Sequence, residues 1–141
     1  MLEYVRKLIH LRQTEPVFRR RDFLVGEETA GSALPDVVWM RPDGRQINDE
    51  DWSREDAHAL GVFLNGQGIP NHDRNGDPIE GASFLLLFNA GHEPVTFAVP
   101  KMLRGKWTLA LSTDAAGEEL LRRRRSNLPV APRSIVVLRR A

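Results

Sequence analysis

The stretch MLEYVRKLIHLRQTEPVFRRRDFLV, residues 1–25, has the pattern of one amphipathic helix that a proline stops. Leu2, Val5 and Ile9 recur at helical spacing and share one apolar face. Pro16 ends the helix because it has no N–H to donate and its ring clashes with the preceding turn. Most of the remaining chain has the pattern of β-strands. A single leading helix is unusual for a free-standing β domain, so we expect this helix to be the last element of a larger fold.

Six later segments carry strand patterns, either alternating or continuously apolar. Turn-forming residues separate them, and Asn75-Gly76 is the strongest tight-turn dipeptide. Residues 66–82 are rich in glycine and proline and are expected to form a loop or a long hairpin. These patterns predict a mainly β fold, an antiparallel β-sandwich of the Greek-key type with roughly six to eight strands and one N-terminal α-helix. The predicted strands lie at residues 36–41, 58–65, 83–89, 94–99, 106–112 and 134–139.

Two of these strands allow more specific packing predictions. Ser83–Asn89 (SFLLLFN) is apolar on both faces, which is typical of a central strand packed on two sides. In Lys106–Ser112, the alternation directs Trp107, Leu109 and Leu111 to the same face. We therefore expect Trp107 to pack in the core.

Composition and charge exclude several classes of partner. The hydrophobic fraction of 41% and the charged fraction of 28% are those of an ordinary globular protein. The net charge of +1 provides no long-range field that would attract nucleic acid or an anionic membrane, and no apolar stretch is long enough to cross a bilayer. Two arginine clusters occur, at Arg19–Arg21 and Arg122–Arg125. No aromatic residue that could stack on a base is interleaved with the arginines of either cluster, so we predict no nucleic-acid partner. The absence of cysteine excludes disulfides and fits a cytoplasmic location.

The titratable residues do not form a catalytic or metal-binding pattern. Acidic residues occur in adjacent runs at 27–28, 49–51 and 118–119, where neighbours point apart into solvent rather than across a substrate bond. The spacing of Asp73, Asn75 and Asp77 around Gly76 fails the calcium-loop pattern and instead favours a turn in which side chains bond the local backbone. The four histidines lack the paired spacing of a zinc site. We predict no catalytic residue, metal ligand or cofactor in this chain.

In this order, the segments resemble the C-terminal end of isoamylase-type glycogen debranching enzymes, members of the α-amylase superfamily of glycoside hydrolases. The most specific match is DVVWMRPDG at 36–44, followed by DEDW at 49–52. The resemblance covers nearly the whole chain. Its other parts are LIHLRQTEPVFRRRDF at 8–23, GVFLNG at 61–66, SFLLLFNAGHEPVTFAVP at 83–100, LSTDAAG at 111–117 and SIVVL at 134–138.

The resemblance implies an architecture and a role. In such enzymes a (β/α)8 barrel carries the active site, and its last helix leads into a C-terminal β-sandwich. Residues 1–14 would be that last helix, 15–35 a connection and 36–141 the sandwich. Leu2, Val5 and Ile9 would dock on the barrel of the same parent chain, which hydrolyses α-1,6 branch linkages in glycogen and related α-glucans. None of the family's catalytic carboxylates maps onto this sequence, so the expected role is non-catalytic.

The three tryptophans leave an alternative open, namely a carbohydrate-binding module. Sugar rings stack their C–H faces on exposed aromatic planes, and an indole N–H can bond a hydroxyl. Trp52 lies in a polar loop and is the candidate for glucan contact that we expect to be most exposed, although it could instead pin residues 48–56 to the sandwich. Trp39 sits in the middle of a strand and is the second candidate. The module hypothesis requires at least one of these indoles to be exposed.

Overall fold

The computed structural model describes residues 1–29, 31–114 and 126–141, so Arg122–Arg125 and the acidic pair at 118–119 lie outside the described residues. Helix α1 spans Leu2–Thr14, a 3-10 turn follows at Pro16–Arg19, and the short helix α2 spans Asp49–Trp52. In the described parts of the chain, no helix is long and apolar enough to cross a lipid bilayer. The strands found in these parts are β1 Val37–Met40, β2 Ala59–Leu64, β3 Ile69–His72, β4 Pro78–Ile79, β5 Ser83–Asn89, β6 Val95–Ala98, β7 Thr108–Ser112, β8 Asn127–Val130 and β9 Ser134–Arg140.

Five strands form one antiparallel sheet in the order β1-β2-β5-β9-β7. The last strand of the chain, β9, lies between β5 and β7, so the sheet does not follow chain order. Phe63 of β2 faces Leu85 of β5, which in turn faces Leu138 of β9. Because side chains alternate across a strand, these three residues share one face of the sheet.

The first face of this sheet packs against the antiparallel pair β6 and β8, which gives the molecule two layers of strands. The core between them contains Phe63, Phe97 and Leu128, all of them almost inaccessible to solvent. Leu85 and Leu87 of β5 fill the same core from the middle of the sheet. The prediction of an antiparallel β-sandwich with one N-terminal helix is confirmed.

The second face of the sheet carries α1 and the 3-10 turn. Phe84 of β5 is fully buried there and lies 4.7 Å, between ring centroids, from Phe18 of the turn. Tyr4 and Leu11 of α1 pack into the same cluster. Residues 84 and 86 of β5 therefore face this cluster while residues 85 and 87 face the other, which confirms that β5 is packed on both sides.

The structure corrects the prediction for β7. Trp107 and Leu109 pack in the first cluster, but Leu111 packs in the second, on the opposite face. The reason is an irregularity in the pairing with β9 between Leu109 and Leu111, which shifts the register and changes the face. The expectation that these three side chains point the same way was therefore wrong for Leu111.

Two elements were not predicted from the sequence. Residues 49–52 form α2 rather than a loop. Strand β8 contains Pro129, which removes a backbone donor and masks the strand pattern. Among the strands of the described residues, β8 pairs with β6 alone, so proline is tolerated on its other edge, which needs no ladder hydrogen bonds. Of the two expectations for residues 66–82, a loop or a long hairpin, the pairing of β3 with β4 shows the hairpin.

Candidate functional site

Trp39 and Trp52 come together on the surface beside the edge strand β1. Their ring centroids lie 5.6 Å apart and their planes are inclined by 70°, an edge-to-face arrangement. Trp39 remains 40% exposed and Trp52 56% exposed, although both are large apolar groups. Within the described residues, neither indole N–H donates a hydrogen bond to protein. We call this pair the tryptophan corner, an accessible aromatic surface with two free donors.

Local sequence explains why Trp52 is held against Trp39. The side chain of Asn48 accepts a hydrogen bond from the Asp51 N–H at 2.8 Å, and the Asp51 carboxylate accepts one from the Asn48 N–H at 3.1 Å. This reciprocal capping box starts α2 although the helix has a single turn. Arg41, two residues after Trp39, also donates to Asp51 at 3.2 Å. The corner is thus fixed by hydrogen bonds on its polar side.

A cleft of about 430 Å³ opens beside α2. Asp51 and Arg54, on either side of Trp52 in the chain, both line it, together with Arg41. Arg54 forms a bidentate pair with Asp56 through bonds of 3.0 and 2.9 Å. The hydrogen bond from Arg54 lowers the pKa of Asp56, and the same bond raises the pKa of Arg54. The walls therefore carry both signs of charge, already paired.

Helix α1 presents a second surface of a different kind. Leu2 is 65% exposed, Val5 41% and Ile9 51%. At about 100° per residue these side chains lie on the side of the helix away from Tyr4 and Leu11, which pack on the sheet. The structure thus places the three predicted docking residues together on one free apolar face, far along the chain from the tryptophans.

The remaining candidates have structural roles. Trp107 packs against the core, as predicted, and its N–H donates to the Leu103 carbonyl at 2.9 Å. Arg140 lies over its ring at 4.6 Å, and burial lowers the pKa of this arginine. Asp73 accepts backbone hydrogen bonds from Asn75 and Asp77 at 2.8 and 3.0 Å, which confirms the predicted side-chain turn.

The hydrogen bonds that hold the tryptophan corner were not predicted from the sequence. The signal for the capping box was present, because Asn48 is followed three residues later by Asp51, a variant of the usual pattern. The pairing of Arg41 with Asp51 had no comparable signal, since it joins a strand end to a later turn. The cleft had no sequence signal either, because its walls include His58 and Asn89, which are distant from α2 along the chain.

The sequence is similar to one described family and to several known proteins. The family described as "Isoamylase, C-terminal" matches residues 36–139. Proteins named "Glycogen operon protein GlgX homolog" from Mycobacterium tuberculosis and Mycobacterium bovis are each 38% identical over 144 residues, covering 99% of this chain and 20% of the relative. "Isoamylase" from Flavobacterium sp is 25% identical over 116 residues, covering 82% of this chain and 14% of the relative. The chain thus spans about a fifth or less of the length of these relatives. It belongs to the isoamylase C-terminal domain family.

Proposed function

We propose that this chain is the non-catalytic C-terminal domain of a glycogen debranching enzyme, and that it stabilises the catalytic barrel by packing on it through α1. The names of the relatives and the short share of their length that the chain spans support this proposal. The observation that carries it is the free apolar face of Leu2, Val5 and Ile9 on an otherwise anchored helix.

The helix is held in a way that suits it for docking. Its inner side packs on the sheet through Tyr4 and Leu11. Just beyond its end, Glu15 accepts a hydrogen bond from Arg139 of β9 at 2.8 Å. The outer face is therefore presented by a fixed element, which reduces the entropy lost on docking.

The energy available from this face is modest but useful. Full burial of a side chain such as Leu or Ile is worth about 1.5–3 kcal/mol, so covering three half-exposed side chains contributes about 1 kcal/mol each. The apolar face is small, whereas a stable interface between separate proteins needs about 800 Å² per partner. A covalently linked domain needs less area, because the linkage raises the effective concentration. These arguments favour a barrel in the same polypeptide over a second copy of this chain.

The test uses a composite protein made from the M. tuberculosis relative. In it, the segment of the relative that matches this chain is replaced by this chain, and the rest, which we propose to be catalytic, is kept. Val5→Asp and Ile9→Asp should each lower the unfolding temperature of the composite by at least about 2 °C more than that of the isolated chain. His10→Asp is the matched control, because His10 is exposed and lies on another side of α1. Equal effects of all three substitutions on the composite and the isolated chain would overturn the proposal.

A further inference from the structure

We propose that the tryptophan corner and the adjacent cleft form one binding site for an α-glucan chain. Successive glucose rings would stack on the exposed indoles of Trp39 and Trp52, and the hydroxyls of a neighbouring unit would enter the cleft beside α2. The choice of an α-glucan among carbohydrates rests on the proposed function. The existence of the site rests on the geometry of the corner and cleft themselves.

The aromatic part of the site matches a sugar ring. Pyranose rings have apolar C–H faces edged by hydroxyls, so they suit an aromatic plane with a donor at its rim. Trp39 and Trp52 supply two such planes at 70°, and each indole keeps a free N–H within the described residues. Two inclined planes also fit a chain whose successive rings are tilted, as α-1,4 links tilt them. A flat ribbon such as a β-1,4 glucan would use coplanar rings instead.

The polar part of the site matches a neutral ligand with many hydroxyls. The cleft of about 430 Å³ is within the usual range for a small-molecule site. Its walls hold Arg41 with Asp51 and Arg54 with Asp56, so guanidinium donors alternate with carboxylate acceptors. A hydroxyl group both donates and accepts, and it can use both partners at once. An anionic or cationic ligand would meet one repulsive group for each attractive one.

The site is separate from the proposed docking face. Trp39 is in register with Val62 and Leu86, so it lies on the same face of the sheet as α1. Trp39 is on β1, one edge of the five-stranded sheet, whereas the start of α1 lies beside β7, the other edge. Four strand spacings separate these edges, about 19 Å. A barrel that covers α1 can therefore leave the tryptophan corner open to solvent, where a branch of the substrate can reach it.

Affinity electrophoresis of this chain through gels with glycogen, with hydroxyethyl cellulose and with neither polymer tests the proposal. Glycogen should retard the chain, and the cellulose derivative should not. Trp52→Ala and Trp39→Ala should each raise the apparent dissociation constant by about tenfold or more, as for other central aromatic contacts. Phe23→Ala is the matched control, because Phe23 is an aromatic residue with 95% exposure outside the site, and it should bind as the parent chain does. Far-ultraviolet circular dichroism and a cooperative thermal transition confirm that each variant is folded.

Several outcomes would overturn the inference. Equal mobility with and without glycogen would show that the chain has no glucan-binding site. Equal retardation in both polymers would show that the site is not specific for α-glucans. Retardation that survives both tryptophan substitutions would place binding elsewhere. If glycogen does not retard the chain, and Trp39→Ala lowers the unfolding temperature of the composite protein more than that of the isolated chain, the corner is a protein contact instead. None of these results changes the test of docking through α1, which measures a different surface.

Discussion

Arg41 donates a hydrogen bond to Asp51 at 3.2 Å and so ties the end of β1 to the short helix α2. Because Trp39 lies two residues before Arg41 and Trp52 directly follows Asp51, this contact helps to hold the two tryptophans together. The Ile47 N–H, which donates to the Trp39 carbonyl at 3.0 Å, ties the same two segments through the backbone. The ion pair is partly exposed, so its direct contribution to stability is expected to be no more than about 1 kcal/mol. Its main effect is positional, because it joins the helix that carries Trp52 to the end of the strand that carries Trp39.

The capping box of α2 should be measurable as a local contribution to stability. Asn48→Ala removes the oxygen that accepts the Asp51 N–H, and loss of such a cap costs about 1 kcal/mol. Asn48→Asp keeps an acceptor at this position and should retain most of that energy. Denaturant unfolding of both variants gives the comparison. Equal losses would show that the cap oxygen is not what stabilises α2.

Gly66 should tolerate no side chain. A Cβ at this position would meet the backbone carbonyl of Ala82, which cannot move aside without breaking the local structure. Gly66→Ala is therefore expected to cost about 3 kcal/mol or more. Gly61→Ala is the comparison, because its Cβ would meet the side chains of Met40, 2.6 Å from Cγ, and Leu87 rather than backbone, and it should cost less. Thermal unfolding ranks the two, and a larger loss for Gly61→Ala would contradict the structure.

Asp56 should titrate below the ordinary range of an aspartate, because the hydrogen bond from Arg54 lowers its pKa. A carboxylate with a lowered pKa stabilises the folded state above its unfolded pKa, and this contribution is lost as the pH falls through the folded pKa. Carbon NMR titration of the side-chain carboxyl measures the shift. Arg54→Gln should move the pKa back towards its ordinary value, whereas Arg45→Gln, outside this pair, should leave it in place. An unchanged pKa in Arg54→Gln would mean that the pair does not persist in solution.

The parts of the fold that were predictable depend on repeated patterns. The apolar run of β5 predicts a strand buried on both sides, and the spacing of Leu2, Val5 and Ile9 predicts one face of a helix. Both predictions are secure because several residues in each pattern indicate the same structure. The change of face at Leu111 was not predictable, since one irregular pairing with β9 reverses the alternation without changing composition. Strand β8 was hidden for a similar reason, because Pro129 counts against a strand unless the partner edge is known.

The candidate site also has a part that was predictable from the sequence and a part that was not. Trp39 and Trp52 could be chosen as single residues from their settings, one in the middle of a strand and one in a polar segment. Their contact could not, because it depends on the tertiary placement of α2 against the end of β1. Pairing between Arg41 and Asp51 reaches across ten residues and has no periodic signal. Sequence therefore indicates the single candidate residues, and the fold brings them together.

The central claim is that the outer face of α1 is covered by a catalytic domain, and cysteine accessibility tests it most directly. The chain contains no cysteine, so Ile9→Cys and His10→Cys each introduce one defined thiol into it. Reaction with a thiol reagent is followed by peptide mass in the isolated chain and in the composite protein. Both positions are exposed in the isolated chain, so both should react quickly there.

In the composite protein, the thiol of Ile9→Cys should react at least about tenfold more slowly than in the isolated chain, because the barrel covers this face. The thiol of His10→Cys should keep its rate, because it lies on another side of the same helix. Protection of the first position alone is the result that the account predicts. Equal, fast labelling of both positions in the composite protein would contradict it.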